Sequence, residues 1–315
     1  MALLLLAGML LTGCGSTKYD MAYALDNNVS SFQLINTTNK ETIEPFAADL
    51  CVASKDVNVS SVSMNDIGAA ALFDTKNLDT IYAKNVNDRI HPASLTKIMT
   101  ALVALEYGST DQILTASDNV VITESGAQLC GLKPGDQMTL DQALHILLIY
   151  SANDVAILIA EGIAGSVENF VSMMNEEAVK IGATNSHFMN PNGLTEDEHY
   201  VTAYDMYLIF QEALQYDLFN QIIQMTSYST VYKDSAGNDK SLEVETTNLY
   251  LKGTYDMPSN ITVIGGKTGT TNAAGHCLIL LSRSSNGTTY ISVIMKDTSR
   301  DVLYSDMTSL LSSIN

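Results

Sequence analysis

The sequence predicts an α/β protein of the α+β type, in which a mainly antiparallel sheet is flanked by helices and carries an inserted helical subdomain. Segments typical of strands lie towards both ends of the chain, within 67–84 and 227–295. Between them, roughly residues 109–216 contain apolar segments with helical character, separated by Gly and Pro. Strands from both ends that meet in one sheet would leave a cleft beside the helical subdomain.

The individual elements are predicted from periodicity and turn residues. A central helix should start after Pro92, because the segment up to Glu106 contains no Gly and is apolar on nearly all sides between Leu95 and Leu105. Other helices are predicted at 139–150, 154–164, 167–181, 203–216 and 301–311. Strands are predicted at 67–74, 80–84, 227–233, 242–247, from 263 onwards, 277–282 and 290–295, with a hairpin turn at 286–287.

The N-terminus resembles the processing site of a bacterial lipoprotein. Residues 1–11 form an apolar run too short to span a bilayer, and the run ends in Leu11-Thr12-Gly13-Cys14. We therefore expect a signal peptide at 1–13, a lipidated Cys14 with a polar tether at 14–45, and the folded domain at 46–315. The protein would then be extracytoplasmic and held at the membrane by the lipid. The alternatives are an ordinary secretory signal and a buried N-terminal helix.

Charge and cysteine content narrow the range of partners and cofactors. The 315 residues carry a formal net charge of −19, and no cluster of Lys and Arg is present, so nucleic acid is not an expected partner. The five histidines show no metal-ligand spacing, and we expect no metal or other cofactor. Beyond Cys14, three cysteines remain, so at least one is unpaired, and the sequence leaves open whether the other two pair: Cys51, Cys130 and Cys277.

The first candidate catalytic motif lies at the start of the central helix. Ser94 and Lys97 are three residues apart, so their side chains are neighbours on one turn. An amine partly desolvated by an apolar helix has a lowered pKa and can take the proton of a neighbouring hydroxyl. The pair therefore predicts an activated serine nucleophile. Alone the pair is a weak signal, because an N-cap serine followed by a solvated lysine has the same S-x-x-K spacing.

Two further motifs support the first. Ser151 and Asn153 lie at a break between two apolar helical segments, where polar side chains face either solvent or a cleft, although a simple helix cap would also explain them. Lys267-Thr268-Gly269-Thr270 follows two glycines on a predicted strand, which suits close approach of a ligand backbone. Lys267 would attract a carboxylate, and Thr268 would donate a hydroxyl hydrogen bond.

Taken together, the three motifs resemble those of the low-molecular-mass penicillin-binding proteins, which are serine-type D-Ala-D-Ala carboxypeptidases of β-lactamase/transpeptidase-like fold. The likeness runs from about residue 68 to about residue 311. The stretches that carry it are Pro92-Ala-Ser-Leu-Thr-Lys-Ile-Met-Thr-Ala-Leu102, Phe188-Met-Asn-Pro-Asn-Gly-Leu194, His199-Tyr-Val-Thr-Ala-Tyr-Asp205 and Lys267-Thr-Gly-Thr-Thr-Asn-Ala-Ala-Gly275.

The resemblance implies a role for each motif. Ser94 would attack the penultimate D-Ala carbonyl of a peptidoglycan stem peptide while Lys97 takes its proton. Ser151 would relay a proton to the leaving amine, and Asn153 would hold the substrate amide and Lys97. The terminal carboxylate would bind at the segment Lys267, Thr268, Gly269 and Thr270. The oxyanion would be bound by the backbone N–H groups of Ser94 and Thr270. β-Lactams would act as inhibitors.

The resemblance also leaves points open. Relatives often use an arginine near the last strand for the carboxylate, and Arg300 is the nearby candidate, although the sequence does not fix its register. A β-lactamase would share the fold and the acylation step, but the E-x-x-L-N stretch of class A enzymes is absent between Ser151 and Lys267. A cross-link endopeptidase or transpeptidase would use the same residues. A non-catalytic peptidoglycan-binding lipoprotein is disfavoured because the motifs are intact.

Overall fold

The structure, a computed structural model, describes residues 47–64 and 67–314. The predicted signal peptide, the predicted lipidation site Cys14 and the whole of the predicted tether lie outside the described residues. The fold reported below is that of the compact unit Asp49–Asn315. Its strands are β1 (Ala69–Asp74), β2 (Asp79–Lys84), β3 (Ile113–Thr115), β4 (Gln137–Thr139), β5 (Ser227–Lys233), β6 (Asp239–Glu245), β7 (Ile261–Thr271), β8 (Gly275–Ser284) and β9 (Thr289–Asp297). Its α-helices are α1 (Thr96–Tyr107), α2 (Leu140–Ile149), α3 (Asn153–Ala164), α4 (Val167–Lys180), α5 (Ala203–Ala213), α6 (Asp217–Ile222) and α7 (Arg300–Leu311).

The larger sheet joins both ends of the domain, as the sequence predicts. Its strand order is β2-β1-β9-β8-β7, and every neighbouring pair is antiparallel. Successive residues of β8 face opposite sides, so Ile279 packs in the core that contains α1 and Leu280 packs in the core that contains α7. The sheet is therefore covered by helices on both faces, and β7 is left as an edge strand. This arrangement confirms the predicted fold class.

A second, smaller sheet departs from the predicted arrangement. Its order is β3-β4-β5-β6, so the segments predicted at 227–233 and 242–247 do not join the main sheet. Strands β3 and β4 contain three residues each and lie inside the region predicted to be helical. Three residues show too little alternation to be separated from loop by periodicity, which explains why the sequence does not reveal them.

Helix α1 occupies the centre of the helical layer. Its residues from Thr96 to Ala104 are all buried, and it contacts α2, α3, α4 and α5. Helix α2 starts with a capping box, in which Thr139 accepts from the backbone N–H of Gln142 and the Gln142 side chain accepts from the backbone N–H of Thr139. The buried ring of neighbours holds α1 rigidly, so groups at its N-terminus have a fixed position relative to the sheet.

Two further features bear on the sequence predictions. Cys51, Cys130 and Cys277 are free thiols, so no disulfide links these three cysteines. Within the part of the chain that the structure describes, no single helix combines the length and apolarity needed to cross a membrane, and one consecutive pair, α3 and α4, meets the criterion only jointly and with an 85° bend.

Candidate active site

The three sequence motifs meet in one cleft of about 1250 Å³ between the helical layer and the edge strand β7. Ser94 lies in a short 3-10 turn, Ala93–Leu95, that precedes α1, so the regular α-helix starts two residues later than this serine. Ser151 and Asn153 lie at the junction between α2 and α3. The predicted site residues that line the cleft are Ser94, Ser151, Asn153, Thr268, Gly269, Thr270 and Arg300.

Two residues at the serine turns have an unfavourable backbone conformation. Ala93, directly before Ser94, has φ +48°, and Ser151 has φ +69°. Residues with a Cβ rarely adopt this left-handed region, and such strain costs about 1–3 kcal/mol and tends to occur at functional sites. The surrounding packing must compensate for the cost. The strained turns aim the hydroxyls of Ser94 and Ser151 into the same cleft.

Lys97 is fully buried and has three oxygen partners. Its Nζ lies 2.9 Å from Ser94 Oγ, 2.7 Å from Asn153 Oδ1 and 2.6 Å from the backbone carbonyl oxygen of Asn192. Burial lowers the pKa of Lys97 well below its ordinary value, the positive charge of Lys267 lowers it further, and the carboxylate of Asp154 acts in the opposite direction. The amine is therefore easily deprotonated beside a hydroxyl.

Lys267 forms a second buried contact on the other side of the cleft. Its Nζ donates to Ser151 Oγ at 2.8 Å and to the carbonyl oxygen of Thr268 at 2.9 Å. Burial lowers the pKa of Lys267 to about 7. Ser151 thus connects a strand lysine to the helical side of the cleft, and Thr268 Oγ1 is held 2.6 Å from Thr247 Oγ1.

Two glycines allow the backbone to approach Ser94 closely. A Cβ on Gly269 would lie 3.0 Å from the backbone nitrogen of Ser94 and 3.1 Å from the carbonyl oxygen of Pro92. A Cβ on Gly193, which has φ +84°, would lie 1.9 Å from the carbonyl oxygen of Ala93. The strand β7 and the loop that contains Gly193 therefore pack against the strained turn from two sides.

The structure adds residues that motif analysis does not single out. Asp154 is buried and its carboxylate accepts from the backbone N–H groups of Cys130, Gly131 and Leu132, which fixes the loop along one wall of the cleft. Asn192 contributes its backbone carbonyl, a group present in every residue type. Asp154 directly follows the S-x-N motif, so its position could have drawn attention, whereas no side-chain signal marks the carbonyl of Asn192.

The far end of the cleft carries a cation and a histidine. Arg300, the first residue of α7, lines the cleft together with His276 and Tyr304. Thr270 Oγ1 lies 3.2 Å from Nδ1 of His276. Burial lowers the pKa of His276, and the nearby Arg300 lowers it further. The structure thus places Arg300 in the predicted cleft.

Comparison with known proteins assigns this architecture to a family. The profile of the peptidase S11 family, described as D-alanyl-D-alanine carboxypeptidase, matches residues 56–299. The chain belongs to this family. Residues 56–299 include every predicted site residue except Cys14 and Arg300, and Arg300 is the next residue in the chain.

Relatives and a solved structure agree with this assignment. The chain is 35% identical over 240 residues to D-alanyl-D-alanine carboxypeptidase DacF of Bacillus subtilis (strain 168), a match that covers 74% of this chain and 58% of the relative. It is 30% identical over 276 residues to D-alanyl-D-alanine carboxypeptidase DacC of Escherichia coli (strain K12), a match that covers 84% of this chain and 64% of the relative. It thus spans about three fifths of the length of these curated relatives. The crystal structure of the Streptomyces K15 DD-transpeptidase superposes with a TM-score of 0.72 at 26% identity, covering 80% of this chain and 98% of that one.

The lowered pKa of Lys267 predicts how stability changes with pH. The folded protein releases this proton near pH 7, whereas an unfolded chain retains it up to about pH 10. Between these values the unfolded state binds more protons, so this group should make the free energy of unfolding rise with pH. We expect the difference in urea unfolding free energy, wild type minus Lys267→Met, to increase from about pH 6 to about pH 9. If the unfolding free energies of wild type and Lys267→Met changed in parallel with pH, Lys267 would have an ordinary pKa.

Proposed function

We propose that this protein is a serine-type D-Ala-D-Ala carboxypeptidase that removes the terminal D-Ala of peptidoglycan stem peptides through an acyl-enzyme on Ser94. The observation that carries the proposal is the buried amine of Lys97, 2.9 Å from Ser94 Oγ in a cleft beside an edge strand. A desolvated amine at this distance can act as general base for a serine nucleophile. Membership of the peptidase S11 family supports the same reaction.

The contacts in the cleft support the following first half of the reaction. Lys97 takes the Ser94 proton as Oγ attacks the carbonyl carbon of the penultimate D-Ala. The tetrahedral oxyanion is stabilised by the backbone N–H groups of Ser94 and Thr270, and Gly269 allows these two segments to come close. The proton that Lys97 took from Ser94 returns to the leaving nitrogen through the hydroxyl of Ser151, which is hydrogen-bonded to Lys267. Free D-Ala therefore departs, the ester remains on Ser94, and Lys97 is again a neutral amine.

The edge position of β7 supports a proposal for substrate binding. An extended peptide can add to a free strand edge through main-chain hydrogen bonds. The terminal carboxylate would bind at Thr268, in the positive field of Lys267 and Arg300, because both hydroxyl donors and cations attract an anion. Asn153, whose Oδ1 accepts from Lys97, would present its amide nitrogen to the substrate. In the second half of the reaction, water hydrolyses the Ser94 ester and Lys97 is available to take the water proton.

A transpeptidase or cross-link endopeptidase is the second candidate. The observation that favours it is the likeness to the Streptomyces K15 enzyme, which is named a DD-transpeptidase. Both reactions share the acyl-enzyme, and they differ in whether water or an amine accepts the acyl group. A β-lactamase is less well supported, because no E-x-x-L-N stretch lies between Ser151 and Lys267 to activate water against a penicilloyl ester.

Steady-state product analysis tests the proposal. The protein should release free D-Ala continuously from a peptide ending in D-Ala-D-Ala, with one D-Ala for each shortened peptide. It should hydrolyse penicillin only slowly, because the penicilloyl ester persists on the enzyme. Rapid hydrolysis of penicillin without D-Ala release would make the protein a β-lactamase. Release of D-Ala only when an acceptor amine is added would make it a transpeptidase.

We further propose that the protein is extracytoplasmic and held at the membrane by a lipid on Cys14. The support is the apolar run followed by Leu11-Thr12-Gly13-Cys14, together with a substrate that lies outside the cytoplasm. In a bacterial host, Cys14→Ser should move the protein from the membrane fraction to the soluble fraction or the medium. Cys130→Ser is the matched control and should leave fractionation unchanged. Membrane association of Cys14→Ser equal to that of wild type would contradict the lipid anchor.

A further inference from the structure

Helix α1 makes two hydrogen bonds to consecutive carbonyls of one loop. Lys97 Nζ donates to the carbonyl oxygen of Asn192 at 2.6 Å, and Thr100 Oγ1 donates to that of Pro191 at 2.6 Å. Thr100 lies one turn beyond Lys97 and is fully buried. A threonine within a helix usually donates to the carbonyl four residues earlier. Here that carbonyl, of Thr96, is 3.4 Å away, so the single hydroxyl proton of Thr100 goes to the loop.

The carbonyl of Asn192 determines where the lone pair of Lys97 points. A neutral amine has two N–H donors and one lone pair. Asn153 Oδ1 and the carbonyl oxygen of Asn192 can only accept, so they take both N–H groups. The lone pair is then left facing Ser94 Oγ, the third neighbour of Nζ. Without the Asn192 carbonyl, the amine could rotate and the lone pair would face Ser94 for only part of the time.

We propose that Thr100 is a positioning residue, which holds the loop of residues 190–194 so that the carbonyl of Asn192 orients the lone pair of Lys97 towards Ser94. This inference rests on the proposed role of Lys97 as general base. Thr100 itself reaches neither substrate nor Ser94 in this scheme. It acts by fixing the carbonyl directly before that of Asn192, so a shift at Pro191 is passed to the next peptide unit.

The rest of the loop is built to hold this position. Asn190 Oδ1 accepts from the backbone N–H of Gly193 at 2.7 Å, and its Nδ2 donates to the carbonyl oxygen of Leu194 at 2.9 Å. Gly193 lies against the carbonyl of Ala93, where no side chain fits. The loop therefore rests on the Ser94 turn at one point and on Thr100 at another, and both contacts are needed to define the direction of the Asn192 carbonyl.

The test compares Thr100→Val with Thr100→Ser. Valine keeps the shape and removes the hydroxyl, whereas serine keeps the hydroxyl and removes the methyl group. The measurement is the acylation rate constant with a fluorescent penicillin, separated from the initial non-covalent binding constant and followed across pH. We expect Thr100→Val to lower the acylation rate constant by about 10- to 100-fold, with binding unchanged. Thr100→Ser should acylate close to the wild-type rate.

The pH profile separates positioning from general loosening of the site. The acidic limb of the acylation profile reports deprotonation of Lys97, which is also acted on by Lys267 from β7 and Asp154 from α3. The hydrogen bond to the Asn192 carbonyl is charge-assisted and stronger when Lys97 is an ammonium group than when it is a neutral amine, so loss of this contact destabilises the ammonium form more. The limb should therefore move to lower pH in Thr100→Val and stay in place in Thr100→Ser.

Several results would overturn the inference. An acylation rate constant of Thr100→Val equal to that of wild type would do so. Equal losses of acylation rate in Thr100→Val and Thr100→Ser would also do so, as would an acidic limb that does not move in Thr100→Val. If Thr100→Val fails to fold by circular dichroism, Asn190→Ala replaces it, because it loosens the same loop from a half-buried position. The same slower acylation and the same shift of the limb are expected there, and their absence overturns the inference. A wild-type protein that forms no adduct would instead refute the proposed function.

Discussion

Replacing Lys97 by arginine should lower the rate of acylation by penicillin by about 10³-fold or more, because general base catalysis from this position is lost. Arginine is also a long basic side chain, but its guanidinium does not deprotonate in proteins. It also has a planar donor group that does not match the three acceptors around Nζ, which are Ser94 Oγ, Asn153 Oδ1 and the Asn192 carbonyl. Lys97→Ala should lose acylation as well, since no base remains.

A lysine at the rim of the same cleft provides the control for that experiment. Lys252 lines the cleft and forms an ion pair with Glu245 at 2.8 Å, and Lys252→Arg preserves both charge and pairing. It should acylate at the wild-type rate. The measurement is the second-order rate constant for labelling by a fluorescent penicillin. Labelling of Lys97→Arg at near-normal rates would exclude Lys97 as the base.

Gly193→Ala should impair both stability and acylation strongly. The added Cβ would lie 1.9 Å from the carbonyl oxygen of Ala93, a distance that no packed structure tolerates, so the backbone on one side must move. Either the strained turn that carries Ser94 shifts, or the loop that carries the Asn192 carbonyl shifts away from Lys97. A displacement of about 1 Å at a catalytic group can cost about 10²-fold in rate.

Gly165→Ala is the control that separates the steric clash expected in Gly193→Ala from the cost of placing alanine at a positive φ. Gly165 has φ +78°, close to the +84° of Gly193, but nothing lies within 4 Å of its added Cβ. Alanine in this region costs about 1–2 kcal/mol at either site. Gly165→Ala should therefore lose some thermal stability and keep its acylation rate. Equal stability loss and equal acylation in the two variants would show that Gly193 is a conformational requirement only and does not support the site.

The sequence reveals those parts of the site that depend on residue type and short spacing. Ser94 and Lys97 are one helical turn apart, and the apolar surroundings of α1 are visible in its composition, so burial of the amine is predictable. Lys267 and Gly269 are likewise recognisable from the sequence, because a lysine and glycines are unusual within a predicted strand. The structure places these side chains together as the sequence predicts, and their roles remain proposals.

Other features are not encoded in local patterns. The carbonyl that holds Lys97 comes from Asn192, 95 residues away in the chain, and a backbone group leaves no residue-type signal. The left-handed conformations of Ala93 and Ser151 run against the preferences of both residue types, so only tertiary packing imposes them. The second sheet is missed for a related reason, since β3 and β4 are too short for periodicity to show.

Mass spectrometry of the acylated protein tests the central claim most directly. The protein is incubated with penicillin and, separately, with a peptide ending in D-Ala-D-Ala, then quenched, digested and mapped. We expect a penicilloyl adduct on the peptide that contains Ser94. With the D-Ala-D-Ala peptide we expect a transient adduct at the same residue, formed by the peptide substrate without its terminal D-Ala. An adduct on Ser151 instead, or no adduct at all, would contradict the central claim.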